Sequence, residues 1–272
     1  MKSKDCKILL GSVLYALIAG CTSQIDSTPN PVITDENPNA GGIYYGNITT
    51  DGSPAAIPVT AIFDSTQRFV IYANDQSALY AGLYSLVSSG ISGQTRVFSL
   101  ATGNTTGTAS FNGTFESKSA INAAYNFKLS SNVGGGPDAT GLINLPSYQT
   151  LIHLKPSATK LLEGTWDNHD NFGYSTISFT ISGDGTTSGS SSASTCTYYN
   201  GKISTINLMY NVYKVEFTES CPSPGAANVI QTLVGLGSIF PANADLATPK
   251  QLVMAVSSAT TARLFTLTPA IP

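Results

Sequence analysis

Chemistry in this 272-residue chain has few groups to draw on: two histidines, four cysteines and a charged fraction of only 11%. His169 stands in Asp167-Asn168-His169-Asp170-Asn171, and Asp167, His169 and Asp170 are residue types that hold divalent cations. The run lacks the alternating oxygen ligands, sharp-turn glycine and late glutamate of a calcium loop, so it reads as a polar hairpin turn. His153 lies in Leu151-Ile152-His153-Leu154-Lys155, an apolar run expected to be a strand with a satisfied core or edge histidine. A serine nucleophile requires a base and a group that orients it. No Gly-x-Ser-x-Gly elbow occurs among the many serines. The glutamates of the folded part are Glu116, Glu163, Glu216 and Glu219. A carboxylate pair such as Asp64 with Glu116 would suit glycoside hydrolysis, but no spacing selects it. Gly134-Gly135-Gly136 is followed by neither a helix pattern nor a lysine, so it reads as a loop and not a phosphate cradle. The expectation is a protein that is not an enzyme and carries no metal or cofactor.

The first 20 residues have the three parts of a secretory signal. Lys2, Lys4 and Lys7 make a cationic start, Ile8 to Ala19 an apolar run, and small residues follow. The apolar run is too short for a ~30 Å hydrocarbon core, which needs about 20 residues. Ile18-Ala19-Gly20-Cys21 resembles the bacterial lipobox. That resemblance implies cleavage before Cys21, a diacylglycerol thioether on its sulfur and an acylated amino terminus, palmitate being the usual kind of chain. Two or three acyl chains hold a protein firmly to a membrane. Thr22 stands where aspartate would imply retention at the inner membrane, so the resemblance implies the outer membrane, facing the periplasm or the cell surface. Residues 21–40 contain prolines, no aromatic residue and no apolar period, and are expected to be a lipidated flexible tether.

With Cys6 in the leader and Cys21 taking lipid, Cys196 and Cys221 remain, an even number for an oxidising compartment. Each borders a strand-like run, and a disulfide between them is expected. Metal binding by the pair is the poorer alternative, because no histidine lies near.

The elements positioning these residues read as strands. Arg68 to Tyr72, Thr176 to Ile181 and Val212 to Phe217 alternate in polarity. The stretch 75–90 is read as a strand in preference to a short helix, because Gly82 sits in its middle. Asn112-Gly113 and Asn200-Gly201 are two-residue hairpin signals, and Asp51-Gly52 and Asp184-Gly185 are similar turns. Hydrophobic residues at 42% are enough for a packed core. The ten cations outside the leader are scattered singly, which excludes nucleic-acid binding by phosphate neutralisation.

Two similarities suggest duplication. Gly42-Ile43-Tyr44 matches Gly164-Thr165-Trp166, and Leu151-Ile152-His153-Leu154-Lys155-Pro156 matches Leu264-Phe265-Thr266-Leu267-Thr268-Pro269. A third echo, SAINAAYNF from 119 and STINLMYNV from 204, breaks that register and reads as coincidence. The expected domains are a signal peptide over 1–20, the tether over 21–40, and two tandem units over 41–156 and 157–272. Each unit would be a small all-β antiparallel barrel or sandwich of seven or eight strands.

Gly164-Thr165-Trp166 resembles the G-x-W start of the lipocalins and related calycins. That resemblance implies a Trp166 that closes a barrel floor, with a basic residue of the last strand, Arg263, packed across it. Tyr44 occupies the Trp position of the first unit, and no T-D-Y-x-x-Y signature occurs. The order from Ile181 through Asp184-Gly185, Cys196, Asn200-Gly201-Lys202 and Asn211-Val212-Tyr213-Lys214-Val215 to Cys221 resembles a group of proteobacterial lipoproteins with a lipobox and β-rich repeats. This group implies an envelope β protein and no reaction. The expected function is a membrane-anchored envelope lipoprotein with a non-enzymatic binding or structural role, held to the membrane through Cys21 and open to an envelope protein or glycan partner. The alternative is a calycin-like carrier of a small apolar ligand, which needs a cavity of roughly 300 Å³ or more.

Overall fold

The computed structural model describes residues 40–116, 119–131, 136–169, 175–223, 225–243 and 248–270; the leader, Cys21 and the tether up to residue 39 lie outside them, while Ala40, expected to end the tether, is buried in the first barrel's core. The first eight strands are β1 (Gly42–Thr50), β2 (Ala56–Phe63), β3 (Arg68–Ala73), β4 (Ala78–Val87), β5 (Gly90–Ser99), β6 (Thr105–Glu116), β7 (Ala120–Leu129) and β8 (Ala139–Tyr148). Each pairs antiparallel with its sequence neighbours, and β8 returns to β1 to close a barrel. The second barrel is β9 (Gly164–His169), β10 (Ser175–Ile181), β11 (Thr186–Ser191), β12 (Thr197–Thr205), β13 (Tyr213–Ser223), β14 (Ala226–Phe240), β15 (Gln251–Ser257) and β16 (Ala262–Pro269). It closes in the same way, through β16 and β9. The connection between the barrels holds one helical turn, α1 (Thr150–His153), and a 3-10 turn over Thr159–Leu162. The fold is therefore all-β, with two closed eight-stranded antiparallel barrels.

Alternation makes these strands. In β13, Tyr213, Val215, Phe217 and Glu219 are buried, while Lys214, Glu216 and Thr218 between them are half-buried. The period of two sends the first set inward and the second outward. Phe179, Tyr198, Phe217 and Phe265 meet inside the second barrel with ring centroids 5.0 to 5.8 Å apart. Tyr44, Phe63, Phe69, Tyr84 and Phe111 fill the first. The stretch read as strand over 75–90 is β4 and its turns.

Three strands break the alternation over five consecutive residues. Val59 to Phe63 of β2, Phe69 to Ala73 of β3 and Leu252 to Val256 of β15 are buried at every position. They are covered on both faces. Ile43, Ile62, Val70, Leu79 and Phe98 on the outside of the first barrel pack with Val212, Leu236, Val253, Ala255 and Ala262 on the outside of the second. The barrels thus share a third apolar core between their walls. A backbone clasp closes one edge of this seam: Thr105 N donates to Thr260 O at 2.9 Å, and Ala262 N donates to Gly103 O at 2.7 Å.

Several sequence expectations need correction. Asn112-Gly113 is not a hairpin turn but lies inside β6, because the neighbouring strand passes so close that a Cβ on Gly113 would collide with Asn122 O and Ala123. Asn200-Gly201 is also inside a strand: Asn200 has φ +50°, and the β12–β13 register shifts between Tyr199 and Lys202, which makes a bulge. Asp51-Gly52 and Asp184-Gly185 do lie at turns, with both glycines at positive φ. The run from Leu151 to Pro156 is not a strand. β1 to β8 already form a closed ring, so no edge is left for it to pair with, and it begins as α1. Its match to Leu264–Pro269, which lies in β16, is therefore not structural. The Gly-x-aromatic match is structural, since both copies open the first strand of a barrel. The third echo compares β7 with the β12–β13 loop, a coincidence as expected.

Candidate functional site

Three polar constellations are built into this frame. The first lies inside the second barrel, near the β15–β16 turn. The inward register of β13 places Glu219 there with no solvent exposure. Arg263 grips it with two bonds, Nε to Oε1 at 2.8 Å and Nη2 to Oε2 at 3.1 Å. Gln231 Nε2 donates to the same Oε2 at 2.7 Å, and Ser258 Oγ donates to Gln231 Oε1 at 3.0 Å. The Cys196–Cys221 disulfide adjoins this carboxylate, as expected for the two cysteines. Among the described residues, Cys196, Glu219 and Cys221 are the one group of three close enough to ligate an ion, but the two sulfurs are bonded to each other. With every oxygen of Glu219 held, the cluster is fitted for fixing strands and not for moving protons.

The second constellation is at the seam between the barrels. His153, buried at the end of α1, shares a 2.7 Å hydrogen bond between Nδ1 and the Tyr148 hydroxyl. Its ring stacks on Tyr210 at 4.6 Å. Burial, and then the neighbouring Tyr210, push the Tyr148 phenol up to about 12, so Tyr148 stays protonated at neutral pH. Asn211 fastens the connection to the second barrel: its N–H donates to His153 O at 2.9 Å, and its Nδ2 donates to Ile152 O at 3.2 Å and Ile239 O at 2.6 Å. The cavity beside His153, lined by Asp64, Asn207 and Tyr210, is about 10 Å³. That is room for about one water. The Asp64 carboxylate accepts from Thr66 N, Thr66 Oγ1 and Arg68 N at 2.7 to 2.8 Å, which consumes it in the β2–β3 turn. Glu116 ends β6 on the exposed side.

The third is the floor of the second barrel. Trp166 is buried, and its Nε1 donates to Leu162 O at 2.7 Å. The expected cover by Arg263 is overturned. Arg263 pairs opposite Val256, whereas Trp166 pairs opposite Pro269, six residues further along β16. At about 3.3 Å per residue that puts the Arg263 backbone roughly 20 Å from Pro269 along the strand, and its guanidinium is held by Glu219. The cation over the indole is Lys250, from the approach to β15, 5.2 Å from the ring centroid. Native protein is expected to show blue-shifted tryptophan emission that Lys250→Ala alters and Arg263→Ala does not. Red-shifted, freely quenched native emission would contradict the closed floor.

His169 ends β9, but its side chain and the residues from Asp170 to Tyr174 lie outside the described part, as do Gly134 and Gly135. Among the strand tyrosines, Tyr84, Tyr198 and Tyr213 are buried and Tyr80 and Tyr199 half-buried, while Tyr210, half-buried, lies in the β12–β13 loop. Burial pushes the Tyr80 and Tyr198 phenols up to about 12. No family model matches the chain, and no match was found among curated proteins or solved structures.

Proposed function

We propose that the protein is a lipoprotein of the bacterial outer membrane, anchored through Cys21, with a non-enzymatic binding or structural role in the envelope. The observation that carries this reading is Ile18-Ala19-Gly20-Cys21 behind a cationic and apolar leader. The Cys196–Cys221 disulfide supports it, because such bonds persist in oxidising compartments. The interior of the first barrel supports a structural over a carrier role. The cavity in the first barrel, lined by Phe69, Tyr80, Phe111 and Tyr125 among others, is about 10 Å³, whereas a carrier needs roughly 300 Å³. Replacing Cys21 with Ser is expected to abolish metabolic labelling with palmitate and to remove the protein from the outer-membrane fraction. A Cys21→Ser protein that still fractionates with the outer membrane would end the anchor reading.

A further inference from the structure

We infer that the connection between the barrels and the β12–β13 loop form a lipid-contacting face that rests on the membrane surface. The inference deepens the anchor reading and rests on it for which membrane is meant. Among the described residues eleven large apolar side chains are exposed, and five of them, Leu151, Leu154, Leu161, Leu208 and Met209, lie in these two segments. Leu151 is 84% exposed, Leu208 65% and Met209 66%. The segments are laced into one lobe: Ser157 N donates to Leu208 O at 3.1 Å, Ser157 Oγ to Asn207 O at 2.8 Å, and Asn211 N to His153 O at 2.9 Å. The His153–Tyr210 stack lies beneath. The side chains above it therefore stand on a rigid base, not on a swinging loop.

Two further observations select lipid as the occupant. The first is where the tether joins. Gly41 lines the same small cavity as His153, Asn207 and Tyr210, and Ile43 O accepts from Gln149 N at 2.8 Å. The described chain therefore begins next to this lobe, with Gly41 following an Ala40 buried in the first barrel's core. The second is charge. Lys155 and Lys160 are exposed on it, and Glu163, 3.7 Å from Lys160, is the one acidic residue of segments 149–163 and 206–212. Exposed leucines and a methionine with lysines beside them suit the boundary of an anionic bilayer, where apolar burial and attraction to headgroups act together.

The test uses the mature chain from Thr22, which contains the whole compact unit 37–272 but no lipid. It is sedimented with vesicles of phosphatidylethanolamine and phosphatidylglycerol. The chain is expected to partition onto them, and Leu151→Ser with Leu208→Ser to weaken that partition by roughly tenfold. Leu142→Ser with Ile230→Ser, exposed apolar residues elsewhere on the two barrels, should leave it unchanged. No partition, or an equal loss with the control pair, overturns the inference. Dimers that Leu151→Ser with Leu208→Ser dissolves would give the face to a second copy and overturn it also. So would protection of 150–156 and 207–209 from hydrogen exchange without vesicles, which would give it to residues 22–39. Because this chain lacks Cys21, its failure is distinguishable from failure of the anchor, which the Cys21→Ser labelling reads separately.

Discussion

Arg263→Ala is expected to lower the unfolding free energy by about 3 kcal/mol, the lower end of the range for breaking a buried ion pair. Glu219 is fully buried, and the guanidinium supplies two of its three donors. Removing the guanidinium strands a carboxylate whose remaining donor is Gln231. The lower end applies because the Arg263 side chain is 29% exposed, so water can enter where it stood. Glu219→Met with Arg263→Met is expected to recover most of the loss, since an apolar pair leaves no uncompensated charge. Urea unfolding of the three proteins reads this directly. A cost below about 1 kcal/mol for Arg263→Ala would mean that the pair behaves like a surface salt bridge.

Cys196→Ala with Cys221→Ala is expected to cost about 3 kcal/mol, the value of closing a loop of this length in the denatured chain. The bond spans the β12–β13 hairpin, which contains the bulge at Asn200-Gly201. It therefore restrains a strand pair whose register is interrupted. The denaturant midpoint should fall, and non-reducing peptide mapping of the parent should give one linked pair. A midpoint unchanged within error would remove the disulfide from the list of stabilising features.

Much of the architecture was legible because closed barrels alternate. Tyr213-Lys214-Val215-Glu216-Phe217 announces its inner and outer faces, and Gly42-Ile43-Tyr44 and Gly164-Thr165-Trp166 mark where each barrel begins. Turn chemistry was less reliable. Asn-Gly serves equally at a bulge or where strands crowd, whereas the Val87 to Gly90 hairpin turns through Ser88 at φ +55°, with no glycine between them to signal it. The packing of one barrel on the other had a signal that alternation obscured. Val59-Thr60-Ala61-Ile62-Phe63 and Leu252-Val253-Met254-Ala255-Val256 are nearly unbroken apolar runs, which mark strands covered on both faces. Glu219 with Arg263 and Tyr148 with His153 were not legible as pairs. Which inward residues meet depends on the strand register, and Arg263 alone fits Trp166 as well as Glu219 until that register is known.

The shared wall has a consequence for biogenesis. Synthesis runs from the amino end, so β1 to β8 exist before β13 to β16 are made. A first barrel that closes in that interval has every backbone edge paired, while Ile43, Ile62, Val70, Leu79 and Phe98 lack the partners that cover them in the finished protein. Gly103, whose φ of +74° and contact with the Arg263 guanidinium belong to the clasp, awaits the last strand of all. The nascent first barrel is thus a closed sheet with a sticky flank. The time between its closure and the arrival of β16 is the stage at which the chain most needs shielding from its neighbours.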